Sequence, residues 1–87
     1  MVAYEIEVRP AALRALRRID RKDQARIRGA IALLATNPRP PGAIALKGRS
    51  GLRVRVGNYR IIYLIEDGKL LIVVVAIGHR REIYRDH

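Results

Sequence analysis

The residues best suited to chemistry form a short basic segment in the second half of the chain. In the stretch Leu52-Arg53-Val54-Arg55-Val56, arginine alternates with apolar residues. Side chains of a β-strand point alternately to its two faces, so Arg53 and Arg55 should share one face and the apolar residues the other. Adjacent guanidinium groups repel each other unless an anion or water lies between them. The segment therefore predicts either an anion-binding surface or an edge strand whose positive charge prevents aggregation.

A third arginine follows a tight-turn signal. Gly57-Asn58 is typical of a two-residue hairpin turn, so the next strand should fold back and bring Arg60 close to Arg53 or Arg55. Three guanidinium groups without a nearby carboxylate are costly as a purely structural motif. They suit a site that receives a phosphodiester, because each guanidinium can donate two parallel hydrogen bonds to phosphate. The alternative, three arginines splayed in water, stays open on these residues alone.

Residues 78–85 form a second polar run, which follows the most apolar segment of the chain. His79 in this run has a side chain that titrates near neutral pH and could transfer protons, although a lone histidine more often has a structural role. Tyr84 could pack onto the fold or stack on a nucleobase. The run is therefore a candidate part of the same site.

Other catalytic chemistries find no support in the sequence. The 87 residues include no cysteine, which excludes disulfides and thiolate zinc sites. There is no Gly-rich phosphate loop, Ser50 is the single serine, and the neighbouring acids Glu66 and Asp67 fall at an expected hairpin tip. We therefore predict a site without metal or cofactor.

The charge of the chain favours a polyanionic partner. The formal net charge is +10, and 15 of the 18 basic residues are arginine. No acidic residue occurs between Gln24 and Ile65, although eight basic residues do. Such a field attracts nucleic acid and speeds its encounter with the protein. A merely solvated, arginine-rich surface is the alternative.

Two helices are predicted ahead of the basic segment. Leu13, Leu16 and Ile19 recur at helical spacing after Pro10, which suits the first position of a helix. Asp20 can cap a second helix, so the two should form a hairpin with a short turn. The apolar stripe of the second helix consists of Ile27, Ala30, Ile31 and Leu34.

Four strands complete the expected arrangement. Residues 37–51 are rich in proline and glycine and should form a loop. Gly57-Asn58 and Asp67-Gly68 are two-residue turn signals that join the last three strands into hairpins. Strands are expected at residues 3–8, 52–56, 59–65 and 70–77, the last of them interior and covered on both faces because it is apolar throughout.

These elements predict one α+β domain over residues 1–87, with the order β-α-α-β-β-β. An antiparallel sheet should be covered on one face by the helical hairpin, which leaves the other face for a partner or substrate. The longest apolar run, residues 70–77, is too short to cross a membrane, which takes about 20 residues. The first ten residues lack the apolar core of a signal peptide. We expect a soluble, cytoplasmic protein with no membrane partner.

In this order and spacing, three phrases of the sequence resemble the RelE/ParE superfamily of toxins. They are residues 46–48, residues 52–63 and residues 78–84, and the likeness extends over nearly the whole chain. The resemblance implies a small RelE-like fold and a toxin of a type II toxin–antitoxin system. It also implies a cognate antitoxin, which we expect to be acidic or to offer a helix to the toxin surface.

The RelE-like branch is favoured because the residues that its catalytic site uses are present together. The resemblance implies cleavage of mRNA in the ribosomal A site by attack of a ribose 2′-hydroxyl on the adjacent phosphate, without metal. Arg53 and Arg55 match residues that activate the hydroxyl or stabilise the phosphorane. Arg60 matches an arginine that holds the scissile phosphate. Arg80 matches the residue that protonates or steadies the leaving 5′-oxygen, and Tyr84 matches a tyrosine that stacks on a base.

Four further residues are expected to contact RNA, namely Lys47, Arg49, His79 and Arg81.

One departure from the family pattern concerns the general base. The first-strand pair is lysine in the best-known member and arginine here, and arginine does not give up its proton in an ordinary site. His79 is the first candidate for a base from elsewhere. Otherwise the rate rests on positioning and electrostatics.

The ParE-like branch is the alternative. Its members share the fold and much of the Gly-x-Tyr-Arg phrase but generally lack the full catalytic set. That resemblance implies inhibition of DNA gyrase without RNA cleavage.

Overall fold

The part of the chain that the computed structural model describes, residues 3–79, is built from two helices and five strands. The α+β class and the helical hairpin predicted from the sequence are confirmed. In chain order the elements are β1 (Glu5–Val8), α1 (Pro10–Arg17), α2 (Arg21–Leu34), β2 (Ile44–Ala45), β3 (Leu52–Val56), β4 (Tyr59–Glu66) and β5 (Leu71–His79).

Both helices begin where the sequence predicts. Pro10 occupies the first position of α1. Asp20 caps α2, because its Oδ1 accepts a hydrogen bond from the backbone N–H of Asp23 at 3.0 Å. The Gln24 Nε2 donates to the carbonyl oxygen of Ile19 at 2.6 Å, which fixes the turn between the helices. Neither helix of this part of the chain is long and apolar enough to span a bilayer.

The core lies between the helical hairpin and one face of the sheet. The predicted stripe of α2 is confirmed, since Ile27, Ile31 and Leu34 are buried and Ala30 packs against them. Successive side chains of a strand point to opposite faces, so only some residues of each strand face the helices. The buried sheet residues of the core are Ile61, Tyr63, Ile72, Val74 and Ile77.

The sheet has the strand order β1-β5-β4-β3-β2. The two C-terminal hairpins are antiparallel, as predicted. In contrast, β1 runs parallel to β5, with Glu5 opposite Leu71 and Val8 opposite Val74, so the sheet is mixed. Parallel neighbours need a long crossover connection, and the helices with the intervening strands provide it.

The position and burial of β5 agree with the interior strand predicted from its apolar run. It lies between β1 and β4, and Val73 and Val74, which point to opposite faces, are 3% and 0% exposed. The strand also contains a bulge that the sequence does not indicate. Ile62 pairs with Ala76 and Tyr63 with Val74, so the residue between them in β5 is additional.

Two connections differ in detail from the sequence-based expectation. The β4–β5 hairpin does not turn in two residues at Asp67-Gly68: a 3₁₀ turn spans Asp67–Lys69, and Leu70 follows with a φ of 52°. The expected loop at residues 37–51 contains β2, which pairs with β3. A strand of two residues is too short to show alternation in the sequence.

Candidate functional site

The strand register brings three predicted site arginines to one face of the sheet. Arg55 lies opposite Arg60, and Arg53 lies opposite Ile62. Opposite residues of an antiparallel ladder have their side chains on the same face. The intervening Val54 packs against the helix-covered core instead. Arg53, Arg55 and Arg60 therefore share the face away from the helices, which we call the open face.

The Arg55–Arg60 pair is electrostatically unfavourable by itself. Opposite residues have Cβ atoms about 4.5–5.5 Å apart, and like charges at that distance destabilise a sheet. Arg55 is exposed and takes part in no ion pair within residues 3–79. Arg60 is half-buried, and its Nε is enclosed without a hydrogen bond to any atom of residues 3–79. Arg60 also has a further non-covalent interaction. A bound anion would relieve the repulsion between the two guanidinium groups.

A cavity of about 420 Å³ opens beside Arg53. Its floor is apolar: Ile62 is 2% exposed, and Ile44 of the edge strand β2 is 51% exposed. Ala45 and Leu46 complete the apolar lining. Since β2 pairs with β3 through Ile44 and Arg53, the cavity lies next to the arginines of the open face.

The rim of this cavity is cationic. Lys47, Arg49 and Arg53 line it, so the structure brings two predicted RNA-contacting residues together with one predicted catalytic residue. Lys47 and Arg49 are exposed, and Arg53 is half-buried. Arg49 and Arg53 each have a further non-covalent interaction, and Lys47 forms no ion pair within the described chain. A cavity with an apolar floor and a cationic rim can hold a ligand in which a flat apolar ring is linked to a negatively charged group.

The segment between β2 and β3 reaches the open face because two glycines shape it. The backbone N–H of Leu46 donates to the carbonyl oxygen of Gly51 at 3.1 Å. Gly48 and Gly51 have φ values of 71° and 124°. A Cβ at Gly51 would lie 3.1 Å from the Leu46 Cδ1 and 3.2 Å from the carbonyl oxygen of Tyr63. This close approach to β4 holds the cationic rim beside the sheet.

His79 does not join the arginines. It lies opposite Tyr59 in the ladder, whereas Arg60 lies opposite Gly78, so strand alternation puts His79 on the helix-covered face. Its ring packs edge-on against Tyr59, with centroids 5.9 Å apart and an interplanar angle of 83°. His79 therefore lies on the opposite side of the sheet from the arginines, and its role as a general base stays a prediction. A contact between His79 and RNA stays a prediction.

Three predicted site residues, Arg80, Arg81 and Tyr84, lie outside the described residues. Their roles stay predictions. Within residues 3–79, no three histidine or carboxylate side chains come together to hold a metal ion.

Sequence reasoning missed a polar network that anchors the proline-rich loop. The Asp67 carboxylate accepts a hydrogen bond from the Tyr4 hydroxyl at 2.6 Å and is paired with Arg39 at 2.9 Å. Hydrogen bonding by Arg39, and then by Tyr4, lowers the pKa of Asp67 below its usual value. The Tyr63 hydroxyl also donates to the carbonyl oxygen of Pro38 at 2.7 Å. Arg39 therefore belongs to this network, although no acid lies near it in the sequence.

Comparisons with known proteins agree with this architecture. A family profile described as the ParE toxin of the type II toxin–antitoxin system parDE matches residues 6–84. A RelE-like toxin protein of Escherichia coli is 28% identical over 79 residues, which cover 88% of this chain and 83% of that protein.

Solved structures of toxin–antitoxin complexes share the fold. A chain of the RelBE2 complex from Mycobacterium tuberculosis is 25% identical, with a TM-score of 0.81 and coverage of 94% of this chain and 97% of that one. A chain of the archaeal RelE–RelB complex from Pyrococcus horikoshii is 22% identical, with a TM-score of 0.82 and coverage of 92% and 98%. The family match and these structural relatives lead to one conclusion: this chain belongs to the ParE toxins of type II toxin–antitoxin systems, within the RelE/ParE superfamily.

Proposed function

We propose that this toxin is an endoribonuclease that cleaves mRNA in the ribosomal A site. The observation that carries the proposal is the grouping of Arg53, Arg55 and Arg60 on the open face, beside a cavity with a cationic rim. Guanidinium groups bind phosphate through paired, charge-assisted hydrogen bonds. A phosphodiester bound on the open face would contact both Arg55 and Arg60, which lie directly opposite each other in the ladder.

The proposed reaction is an internal transfer at one phosphate. The ribose 2′-oxygen attacks the adjacent phosphorus and loses its proton to water, and the bond from phosphorus to the 5′-oxygen breaks. The products are a 2′,3′-cyclic phosphate and a 5′-hydroxyl, whose oxygen takes up a proton from water. Arg60 binds the scissile phosphate, and Arg53 and Arg55 stabilise the additional negative charge of the phosphorane. Arginine cannot accept the 2′-hydroxyl proton, so these residues act through positioning and electrostatics.

Two residues beyond the described chain complete the proposed site. Arg80 steadies the leaving 5′-oxygen, and Tyr84 stacks on a base and orients it. Lys47, Arg49 and Arg81 contribute contacts to the RNA backbone, which fix its register on the protein.

An antitoxin is proposed to keep this activity silent in the cell. The matched solved structures include toxin–antitoxin complexes from a bacterium and an archaeon. The net charge of +10 favours an acidic partner, because opposite charges speed association.

Primer extension on programmed ribosomes tests the nuclease. The full-length toxin should produce cuts in the A-site codon, and Arg60→Ala and Tyr84→Ala should abolish them. Removal of one electrostatic stabiliser costs on the order of 10²- to 10³-fold in rate. Arg28→Ala, an exposed arginine of α2, is the control and should cut like the wild type. Cutting by a folded Arg60→Ala protein at the wild-type rate would contradict the proposal.

A second candidate function is inhibition of DNA gyrase without RNA cleavage. The matched family profile, which describes ParE toxins, favours it. The same preparation should then leave mRNA intact on ribosomes and inhibit supercoiling by purified gyrase. Intact mRNA together with inhibited supercoiling would replace the nuclease proposal by this one.

A further inference from the structure

The cavity beside Arg53 has a chemistry that phosphate binding alone does not explain. A phosphate site needs donors and charge, yet most of the lining consists of aliphatic side chains: Ile44, Ala45, Leu46 and Ile62. We infer that this cavity binds a single nucleobase of the RNA strand whose phosphate lies on the open-face arginines. The inference rests on the proposed nuclease function and adds to it a site for one base.

The apolar part of the cavity suits the flat face of a base. Ile62 is 2% exposed and forms a fixed floor, whereas Ile44 is 51% exposed at the edge of the sheet and can cover one side of an inserted ring. Bases taken out of a stack are held between aromatic or apolar side chains. The volume of about 420 Å³ falls within the range of small-molecule pockets, about 300–1,000 Å³, and is ample for one base.

The rim identifies the occupant as a nucleotide rather than an apolar side chain. Within residues 3–79, the charged residues of the rim are Lys47, Arg49 and Arg53, and all of them are cationic. In a single strand, each base is flanked by phosphates on both sides, so cations around an apolar floor match both parts of the nucleotide. A protein partner would match both only by placing an aliphatic and an acidic side chain side by side, whereas every nucleotide of an RNA strand carries an apolar base and a phosphate together.

Strand geometry puts this cavity at a suitable distance from the proposed reaction site. The ladder row that contains Ile44, Arg53 and Ile62 lies two residues along β3 from the row that contains Arg55 and Arg60. Two residues of a strand span about 7 Å. An extended RNA strand can therefore place one phosphate on Arg55 and Arg60 and a neighbouring base in the cavity, with Arg53 between them.

Binding of abasic RNA tests the inference. The probe is a fluorescein-labelled RNA hexamer with 2′-O-methyl groups that block cleavage, together with six versions that each lack one base. Anisotropy titrations at one fixed low salt concentration give the affinities for the full-length toxin. Loss of one particular base should weaken binding by wild type about tenfold, because the apolar area of that base is no longer buried in the cavity.

The variant Ile44→Ala assigns that base to the cavity. This variant should bind the intact hexamer about tenfold more weakly than wild type does. Its affinity should not fall further when the same base is absent from the RNA. Leu33→Ala, which removes an exposed apolar side chain from α2, should keep the full abasic penalty. A second variant, Lys47→Met, should lower the slope of log Kd against log salt by about 0.7, because one phosphate contact is lost.

Several results would overturn the inference. One is an abasic penalty in Ile44→Ala as large as in wild type, or equal binding of all seven hexamers by wild type. Another is weaker binding of the antitoxin by Ile44→Ala with unchanged RNA affinity, which would assign the cavity to a protein partner. Cleavage on programmed ribosomes distinguishes this failure from failure of the proposed function. If the toxin cuts mRNA but Ile44→Ala keeps the abasic penalty, the base site alone is refuted. If Ile44→Ala removes the penalty but the toxin does not cut mRNA, the nuclease proposal alone is refuted.

Discussion

The two faces of the sheet differ in the burial and the charge of their side chains. The helix-covered face of β4 and β5 holds Ile61, Tyr63, Ile72 and Val74, each 0% exposed. The open face of β3 and β4 carries arginines, and a cavity with a cationic rim lies beside them. One face packs against the helices, while the other places the like-charged Arg55 and Arg60 opposite each other. Substitutions on the two faces should therefore separate folding from RNA chemistry.

The open face is also electrostatically divided along the strand order. Ile6 and Val8 of β1 pack against the core, so Glu5 and Glu7 point to the open face at its far edge. The arginines lie on β3 and β4, on the other side of β5. A polyanion should therefore lie across β3 and β4 and avoid β1.

The largest effect on stability is expected on the helix-covered side. Ile27 is 0% exposed, and Ile27→Ala should lower the free energy of unfolding by about 2–5 kcal/mol through lost burial and a cavity. Leu33→Ala on the same helix, at a residue 69% exposed, should change it by less than about 0.5 kcal/mol. Urea denaturation followed by circular dichroism measures both. Equal losses in the two variants would contradict the assignment of the core.

The next largest effect is expected where the loop approaches the open face. Gly51→Ala should destabilise by about 3 kcal/mol, because a Cβ at a φ of 124° is strained and would lie 3.2 Å from a backbone oxygen. Gly48→Ala is the matched control: its φ is 71°, but the space around it is empty, so the cost should be about 1 kcal/mol. Gly51→Ala should also weaken RNA binding, since the rim of the cavity shifts. Equal denaturation midpoints for the two variants would show that the close approach does not matter.

A smaller effect of opposite sign is expected among the arginines. Arg55→Thr should raise the free energy of unfolding by about 0.2–1 kcal/mol, because it removes a like-charge pair with Arg60. The gain should shrink as salt rises, since ions screen exposed charges. The same variant should cut mRNA much more slowly. Arg53→Thr should give a smaller gain in stability, because Arg53 lies opposite the uncharged Ile62 and two residues along β3 from Arg55. A destabilised Arg55→Thr protein would mean that Arg55 serves the fold.

Alternation explains why the grouping of Arg53, Arg55 and Arg60 on one face could be predicted from the sequence. The pattern of β3 assigns Arg53 and Arg55 to one face, and Gly57-Asn58 fixes how β4 folds back, so Arg60 follows. The helical stripe of α2 and its Asp20 cap could be predicted because periodicity and capping are local properties. These features depend on neighbours in the chain.

The features that could not be predicted depend on contacts between residues distant in sequence, or lie in a segment whose residues are all apolar. Residues 72–77 are all apolar, so nothing in them indicates that Val75 is a bulge. The same uniformity hides which face of the sheet His79, at the end of this strand, presents its side chain to. The cavity floor joins Ile44 to Ile62 across two strand pairings, and β2 is too short to show a pattern. Asp67 meets Arg39 across 28 residues of sequence.

The smallest expected effect concerns the network that anchors the proline-rich loop, and it depends on pH. Hydrogen bonding by Arg39 and Tyr4 holds the pKa of Asp67 below its ordinary value of 3.8 in the folded state. A carboxyl with a lowered folded pKa contributes stability above its unfolded pKa and loses it as the pH falls through the folded pKa. Asp67→Asn should therefore lower the urea midpoint slightly at pH 7 and match wild type in strong acid. Arg39→Ala should show the same pH dependence, and the double variant no further loss, because both act through one carboxylate. An Asp67→Asn deficit that persists unchanged in strong acid would mean that packing of the loop, rather than the ionised network, supplies the stability.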